Sequence, residues 1–541
     1  MKYFSKLVFL FPAFIPLYLV RFEVFSMPSN VAEVIVCLLF VAFILLTIFS
    51  RVFRLNFVGM KLKMMRFFPP VSLLLFGVIL GTYIATNFGD KFLALGILKS
   101  WILIPAFYGF ILLVLAKTYE DKKLLIRSYV FSAGILSLWA LYQVVSGDYI
   151  TIDARASGPF ESANYLALYV APALVYSAVS VWQSVRSKIN WKCCPYEFVM
   201  VVVLGLAILF SKSYGAMLAI FGVGVMFASY EVFYSHKTAL YGKLWVKIVV
   251  PVVVLVLGGL VVLSQVSTAK FQDFLAFERQ SSTSVRVQVW EVAVDLIGKN
   301  PVAGIGTGRY QLEYEANATK ILGVEPYEES QLHAHSLLFS THLNSGILGV
   351  SAFLYMFILA FFAFMKGSYS TREKDFAAAL LMMFFVICLH GLIDQPFWKN
   401  DLALLWWIVF VPLISGGQPV IRGIVEKGDG LGRKVSYPTL NLVLDKDKML
   451  EGVYVCSVIV GGKQYFGSGF VGTKSVLPRS AFTLEVHLLG KCGDLYGKEA
   501  EVMLLSKIRG VQKVKDLKKL KLLIDKDVKA TKKYLKKWNY A

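Results

Sequence analysis

Apolar residues fill the first three-quarters of the chain in long blocks separated by short polar connections. The blocks fall at about 5–20, 31–50, 69–86, 93–116, 124–145, 162–181, 197–211, 214–234, 245–265, 336–365, 376–394 and 401–416. Each reads as a helix hydrophobic on all sides, which suits a lipid surround rather than a water-facing surface. The pattern therefore predicts a polytopic α-helical membrane domain of about twelve spans. The first, seventh, eleventh and twelfth blocks are short for a hydrocarbon core about 30 Å thick. The pattern changes at Ser415-Gly-Gly-Gln-Pro419. Beyond it, residues alternate with the period of a strand over Val420–Val425, Gly452–Val460, Gln464–Val471, Phe482–Leu489 and Ala500–Leu505. Lys513–Trp538 then returns to a helical period through Leu517, Leu520, Ile524, Val528 and Leu535. Short strands, turn glycines and one terminal helix predict a small β-barrel flanked by a helix. The domains are expected at 1–416 and 418–541.

Composition agrees with this division. The chain has 541 residues, 57% of them hydrophobic and 17% charged. Its mean hydropathy is +0.63. These values exclude a disordered chain and an ordinary soluble globule. Residues 418–541 hold 24 Lys and Arg against 12 Asp and Glu, so the second domain is small, polar and basic. Within the membrane domain, positive charge gathers in alternate connections. Arg51, Arg54, Lys61, Lys63 and Arg66 follow the second block, with basic groups also at 117–123, 186–192, 236–243 and 366–374. The connections at 87–91 and 395–400 carry few. Positive charge stays on the cytoplasmic side, so both termini and the barrel are expected in the cytoplasm and the chain in the cytoplasmic membrane. The polar stretch 266–332 is then a long external loop. The N-terminal run lacks a small-x-small cleavage site and is read as a first span. The six cysteines show no zinc spacing.

The external side holds the first candidate chemistry. Arg155, Arg286 and Arg309 lie on one expected face, and His333 and His335 open the tenth span. Arginine forks match paired phosphates, and a histidine beside them can take a proton from a hydroxyl. Equally, such arginines can snorkel to the interface, the histidines can cap a helix, and Gly304-Ile-Gly306-Thr-Gly308 can be a turn instead of a phosphate cradle.

Several spacings recur together: Arg155-x-x-Gly158-x-Phe160-x-x-x-Asn164, Ser211-x-Ser213, Arg286-x-x-x-Trp290, Asn300-Pro-x-x-Gly304-x-Gly306, and His335-Ser336 followed by Asn344-x-Gly346-x-x-Gly349. This set resembles the O-antigen ligase/polymerase-like family of polytopic glycan transferases, over about 150–400. The resemblance implies transfer of a glycan from a polyprenyl-pyrophosphate carrier outside the membrane, with no cofactor. His335 would activate the acceptor hydroxyl, and Arg155 and Arg286 would hold the pyrophosphate.

In the second domain, Gly423-Ile-Val-Glu-Lys-Gly428-Asp-Gly430-Leu-Gly432-Arg433-Lys434 leads to Tyr437-Pro438-Thr439-Leu440-Asn441. Such glycines allow backbone N–H groups to approach phosphates, with Arg433 and Lys434 adding charge. Thr439 and Asn441 are oxygen-bearing side chains of the kind Mg²⁺ takes. A glycine-rich hairpin followed by a proline turn is the plain alternative. Further on stand Glu451-Gly-Val-Tyr454, Glu485-Val-His-Leu-Leu489, Asp494-Leu-Tyr-Gly497, Ile508-Arg509 and Leu522-Leu-Ile-Asp525-Lys-Asp527-x-x-Ala530. Taken in register, these motifs resemble the riboflavin kinase family over about 418–535. The resemblance implies a six-stranded barrel that phosphorylates the riboflavin 5′-hydroxyl with ATP and Mg²⁺. FMN rather than FAD is the expected product. Gly428, Gly430, Gly432, Arg433 and Lys434 would line the nucleotide phosphates, Thr439 and Asn441 would hold the Mg²⁺, and Glu485 would be the general base.

Two other functions are weighed. Gly472-Thr-Lys-Ser475 replaces the family's flavin loop, so the barrel could sense flavin without turnover and regulate the glycan transferase. The lysine-rich 513–537 segment could bind nucleic acid, but it nearly lacks aromatic residues. Attraction to an anionic lipid surface is the simpler expectation, and no nucleic-acid partner is expected.

Overall fold

The computed structural model describes residues 2–24, 27–50, 60–186, 195–234, 282–366, 371–415, 420–426, 439–444, 451–461, 463–473, 482–490, 494–512 and 517–537, with 53, 57, 259 and 266 singly. The expected ninth span, apart from Gly259, lies outside the described residues.

Helix α1 (Lys2–Leu10) continues as a 3-10 turn, and a hairpin of β1 (Arg21–Val24) and β2 (Met27–Asn30) leads into α2 (Val31–Phe49). Then come α3 (Lys61–Asn87), α4 (Lys91–Ile97), which runs through one π-type stretch into α5 (Ile104–Leu115), and α6 (Tyr119–Ser146). They are followed by α7 (Ala163–Arg186), α8 (Pro195–Ser211) and α9 (Tyr214–Tyr234). The remaining helices of this domain are α10 (Ser282–Lys299), α11 (Tyr310–Leu322), α12 (Leu337–Lys366), α13 (Thr371–His390) and α14 (Asn400–Ile414). Seven helices among the described residues are long and apolar enough to cross a bilayer, and the 3–19, 195–211 and 400–414 segments are apolar but shorter.

The polar stretch expected as a loop contains α10 and α11. They fold on one another through Val289, Val292, Leu296, Tyr310 and Tyr314, and Tyr310 donates from its hydroxyl to the Val289 carbonyl at 3.0 Å. Helix α14 is buried along its whole length from Asp401 to Ile414. Its sequence has no polar face because other helices surround it. Several charges inside the bundle are paired. Arg127 on α6 donates from Nε to Glu197 on α8 at 3.1 Å, and Lys99 meets Glu33 on α2 at 3.1 Å.

Strands β3 (Val420–Ile424), β4 (Thr439–Val443), β5 (Gly452–Val460), β6 (Lys463–Thr473), β7 (Phe482–Leu488) and β8 (Glu499–Arg509) form one antiparallel sheet in the order β3-β8-β5-β6-β7-β4. The Glu426 N–H donates to the Asn441 carbonyl at 2.9 Å, drawing the end of β3 against β4 and nearly closing the barrel. Strand β7 alternates: Phe482, Leu484, Val486 and Leu488 are buried, while Thr483, Glu485 and His487 are only partly covered. Strand β5 is apolar almost throughout because both its faces are covered. Inside lie Tyr454, Cys456 and Val458; outside, Val455 joins Met503, Leu505 and Leu535 beneath α15 (Leu517–Lys537).

The two parts meet at a chain of alternating charges. Lys117, beside the start of α6, contacts Glu501 on β8 at 3.1 Å. Glu501 also meets its cross-strand neighbour Arg422 at 2.9 Å, and Arg422 reaches Asp121 of α6 at 3.4 Å. Asp121 and Thr118 cap each other at the start of α6, so the anchor is rigid. Burial raises the proton affinity of Glu501, but Lys117 and Arg422 outweigh it and hold the carboxyl below its usual range. The contact should therefore hold from pH 4.5 through neutrality and weaken on the acid side only as pH falls through that depressed value. Glu501→Lys puts like charges together, so it should speed proteolysis between the domains several-fold at neutral pH. Glu501→Gln should have a smaller effect.

Candidate functional sites

The two candidate sites lie at opposite ends of the bundle. Asp121 sits at the start of α6 and Arg155 a few residues beyond its end. A helix of 28 residues is about 42 Å long, more than a hydrocarbon core.

At the far end, Arg155 is fixed by three protein contacts. Nε donates to the Ser211 carbonyl at 2.7 Å, Nη2 to Asn164 Oδ1 at 2.8 Å and Nη1 to Asp153 at 3.3 Å. Asn164 and the backbone of Ser211 thus converge on one guanidinium. Gln143 holds the next turn, accepting from the N–H groups of Ser157 and Gly158 at 3.0 and 2.8 Å. Arg286 differs: it makes no hydrogen bond among the described residues, and its nearest charge is Asp394 at 3.9 Å. One helical turn on, Trp290 donates from Nε1 to the His335 carbonyl at 3.3 Å. Arg286-x-x-x-Trp290 is therefore one face of α10 turned toward the His335 loop.

His335 stands with Nδ1 3.8 Å from Asp394, which is beyond hydrogen-bonding distance. Its ring lies 4.3 Å from that of His333. Burial above all, then the neighbouring His335, holds the His333 imidazole down to about 3, so it is neutral. The His335 N–H donates to His333 Nδ1 at 3.4 Å. The proton of His333 is therefore on Nε2, directed at the Tyr165 hydroxyl 3.2 Å away. Among the described residues, Ala154, Lys212 and His335 are the non-glycine positions with left-handed φ, at 48°, 47° and 45°. All three belong to this cluster. Such strain persists where surrounding contacts enforce it, commonly at functional sites.

The structure brings together Arg155, Arg286 and His335, but not Arg309. That side chain pairs with Asp90 at 3.1 Å and Glu313 at 2.9 Å and stacks on Phe88. The Gly304–Gly308 run is no phosphate cradle. Its Gly304, Ile305, Thr307 and Gly308 N–H groups are spent on Asn300, Leu343, Gly81 and Asn344. It crosses α12 where Gly346 breaks the helix (φ 62°), and a Cβ there would lie 2.1 Å from the Val302 carbonyl. Asp394, Tyr165 and Lys399 were not singled out as site residues from the sequence. Asp394 carried one usable signal, a carboxylate beside an apolar block.

In the barrel, Asn441 pairs directly across the sheet with Glu485, and Thr439 with His487. The two side chains singled out for a cation and the one singled out as base therefore share one outer face of β4 and β7. Asn441 Nδ2 donates to the Thr439 carbonyl at 3.2 Å, which turns the amide oxygen away from that bond. Two neutral oxygens fit Mg²⁺, which keeps waters and takes its remaining ligands from phosphates. Gly428, Gly430, Gly432, Arg433 and Lys434 lie outside the described residues. On the adjoining outer face, Arg509 grips Asp527 of α15 with two bonds of 2.9 and 2.8 Å, and Thr531 meets Ser468 at 2.8 Å.

Comparison with known proteins agrees with this division. The family model described as riboflavin kinase matches residues 415–535, and that described as O-antigen ligase matches 199–354. The C-terminal part is 39% identical over 114 residues to the bifunctional riboflavin kinase/FMN adenylyltransferase of Escherichia coli K12, covering 20% of this chain and 36% of that one. The corresponding protein of Pseudomonas fluorescens is 37% identical over 117 residues, covering 21% and 38%. The trifunctional protein RibF/MnmA of Mycoplasmoides gallisepticum is 35% identical over 112 residues, covering 20% and 17%. The chain thus spans little more than a third, or less, of these relatives' lengths. A macrolide-efflux protein structure from Streptococcus pneumoniae aligns with a TM-score of only 0.20 at 30% identity, over 22% of this chain and 40% of its own, and carries no argument. The riboflavin kinase match thus covers the expected 418–535, and the O-antigen ligase match lies within the expected 150–400 without reaching Arg155–Asn164.

The Arg509–Asp527 clamp is separately testable. Asp527→Ala leaves the guanidinium without its partner, a loss of about 1–3 kcal/mol. Amide exchange along α15 should quicken about tenfold to a hundredfold, while the strands of the sheet keep their protection.

Proposed function

We propose that the C-terminal domain, residues 418–541, is a riboflavin kinase that transfers the γ-phosphate of ATP to the riboflavin 5′-hydroxyl, forming FMN. The observation that carries this reading is the direct pairing of Asn441 with Glu485, two residues from Thr439. Glu485 takes the hydroxyl proton as the ribityl oxygen attacks the γ-phosphorus and the bond to the β-phosphate oxygen breaks. Thr439 and Asn441 hold Mg²⁺, which when bound neutralises charge on the phosphates. Gly428, Gly430, Gly432, Arg433 and Lys434 line those phosphates.

The membrane domain, residues 1–416, we read as a transferase of glycan from a polyprenyl diphosphate. His335 accepts the proton of the acceptor hydroxyl while its oxygen bonds to the anomeric carbon. The bond from that carbon to the diphosphate breaks, and the electron pair leaves on the diphosphate. Arg286 supplies unspent donors to that group, and Arg155 presents a fixed charge. Its site faces outward, and both termini and the barrel lie in the cytoplasm of a multi-pass protein. The lysine-rich outer face of α15 is attracted to anionic lipid.

Purified full-length protein given riboflavin, ATP and Mg²⁺ should form FMN. Glu485→Gln should lower kcat by about 10²–10⁴-fold with riboflavin binding kept, and Thr439→Ala should raise the Mg²⁺ needed. Riboflavin binding without FMN in the wild type would favour a flavin sensor, and full activity in Glu485→Gln would remove the assigned base.

A further inference from the structure

One cation at the His335 end has no assigned role. Lys399 precedes α14, and its side chain is 15% exposed. Its ammonium lies 3.7 Å from the Tyr165 ring centre, 4.8 Å from Phe160 and 5.4 Å from Tyr18. Three aromatic faces thus cage it, which favours the charged form and opposes the burial that lowers its proton affinity. Its ion-pair partner, the buried Asp401, is 3.9 Å away, too far for a hydrogen bond. Among the described residues the ammonium donates no hydrogen bond. A nearly enclosed cation with unspent donors is costly unless something else accepts from it.

Its surroundings point to what that acceptor is. The Tyr165 ring beneath Lys399 carries its hydroxyl to His333, whose ring adjoins that of His335. One residue earlier, Asn164 receives the Arg155 bond. Arg155 and Lys399 therefore meet neighbouring residues in the first turn of α7, a 24-residue helix whose N-terminus adds partial positive charge. Arg286 completes the set with a guanidinium that also makes no hydrogen bond among the described residues.

We propose that Lys399 is a third cationic subsite for the diphosphate of a prenyl-linked substrate, held ready by the aromatic cage of Tyr18, Phe160 and Tyr165. This rests on the transferase reading of the His335 site. Charge grows on the diphosphate as its bond to the sugar breaks, so a caged cation with free donors acts on the leaving group.

The test is binding of farnesyl diphosphate, with farnesol as the uncharged control, to full-length protein in nanodiscs. Lys399→Met keeps most of the aliphatic stem and should weaken farnesyl diphosphate about tenfold while leaving farnesol unchanged. Lys399→Arg should restore most of the affinity, which a purely structural role would not predict. Arg286→Ala serves as the reference variant. If Arg286→Ala weakens diphosphate binding and Lys399→Met does not, the Lys399 subsite is wrong and the reading of the site stands. If the wild type does not distinguish farnesyl diphosphate from farnesol, both are wrong. Equal loss of both ligands in Lys399→Met, unrestored by Lys399→Arg, would make Lys399 a packing residue and overturn the proposal.

Discussion

Charge among apolar helices must be paired, caged or used, and this constraint organises the whole molecule. Along its middle, α6 is tied to α8 by Arg127 and Glu197. At its ends the charges do something else. Near its start, Lys117 and Asp121 are completed by Glu501 and Arg422 of the barrel. Beyond its other end, Arg155 is held by three protein acceptors, whereas Arg286 and Lys399 keep donors that no described residue takes. The first arrangement makes an anchor and the second makes a site.

This division gives the fusion of two dissimilar domains a mechanical sense. The barrel is held by β3 and β8, joined in register through Arg422 and Glu501. The face bearing Asn441 and Glu485 belongs to β4 and β7, at the other edge of the strand order. Docking therefore uses β3 and β8, whereas Asn441 and Glu485 stand on β4 and β7. In the bundle, the strained backbone at Ala154, Lys212 and His335 is confined to the end away from the barrel.

Much of this was legible in the sequence because it depends on local periods. Apolar blocks marked the helices, and alternation in Phe482–Leu488 marked the inner and outer faces of β7. Strand β4 was not read from its pattern: it is five residues long and follows a proline. Its pairing with β7 brings Asn441 to Glu485 across 44 positions of sequence, a register that only the closed sheet sets. Helices α10 and α11 were missed inside an apparent loop because their apolar faces cover only each other and α12. The glycine run offered either a turn or a phosphate cradle, and positive φ together with the close approach of α12 at Gly304, α3 at Gly306 and α4 at Gly308 explains its glycines instead. Lys399 was hidden because its meaning comes from rings at positions 18, 160 and 165. Charge patterning also placed the two chemistries on opposite sides, and the length of α6 is compatible with that.

The central claim is that the bundle separates an arginine- and histidine-lined site from the docked barrel across a membrane. Single cysteines at Ile152, beside Arg155 and fully exposed, and at Leu522 on α15, 61% exposed, would report it directly in a protein whose native cysteines are replaced. In sealed right-side-out vesicles, a membrane-impermeant maleimide should label Ile152→Cys at once and Leu522→Cys only after permeabilisation. Labelling of both positions from the same side of intact vesicles would contradict the account.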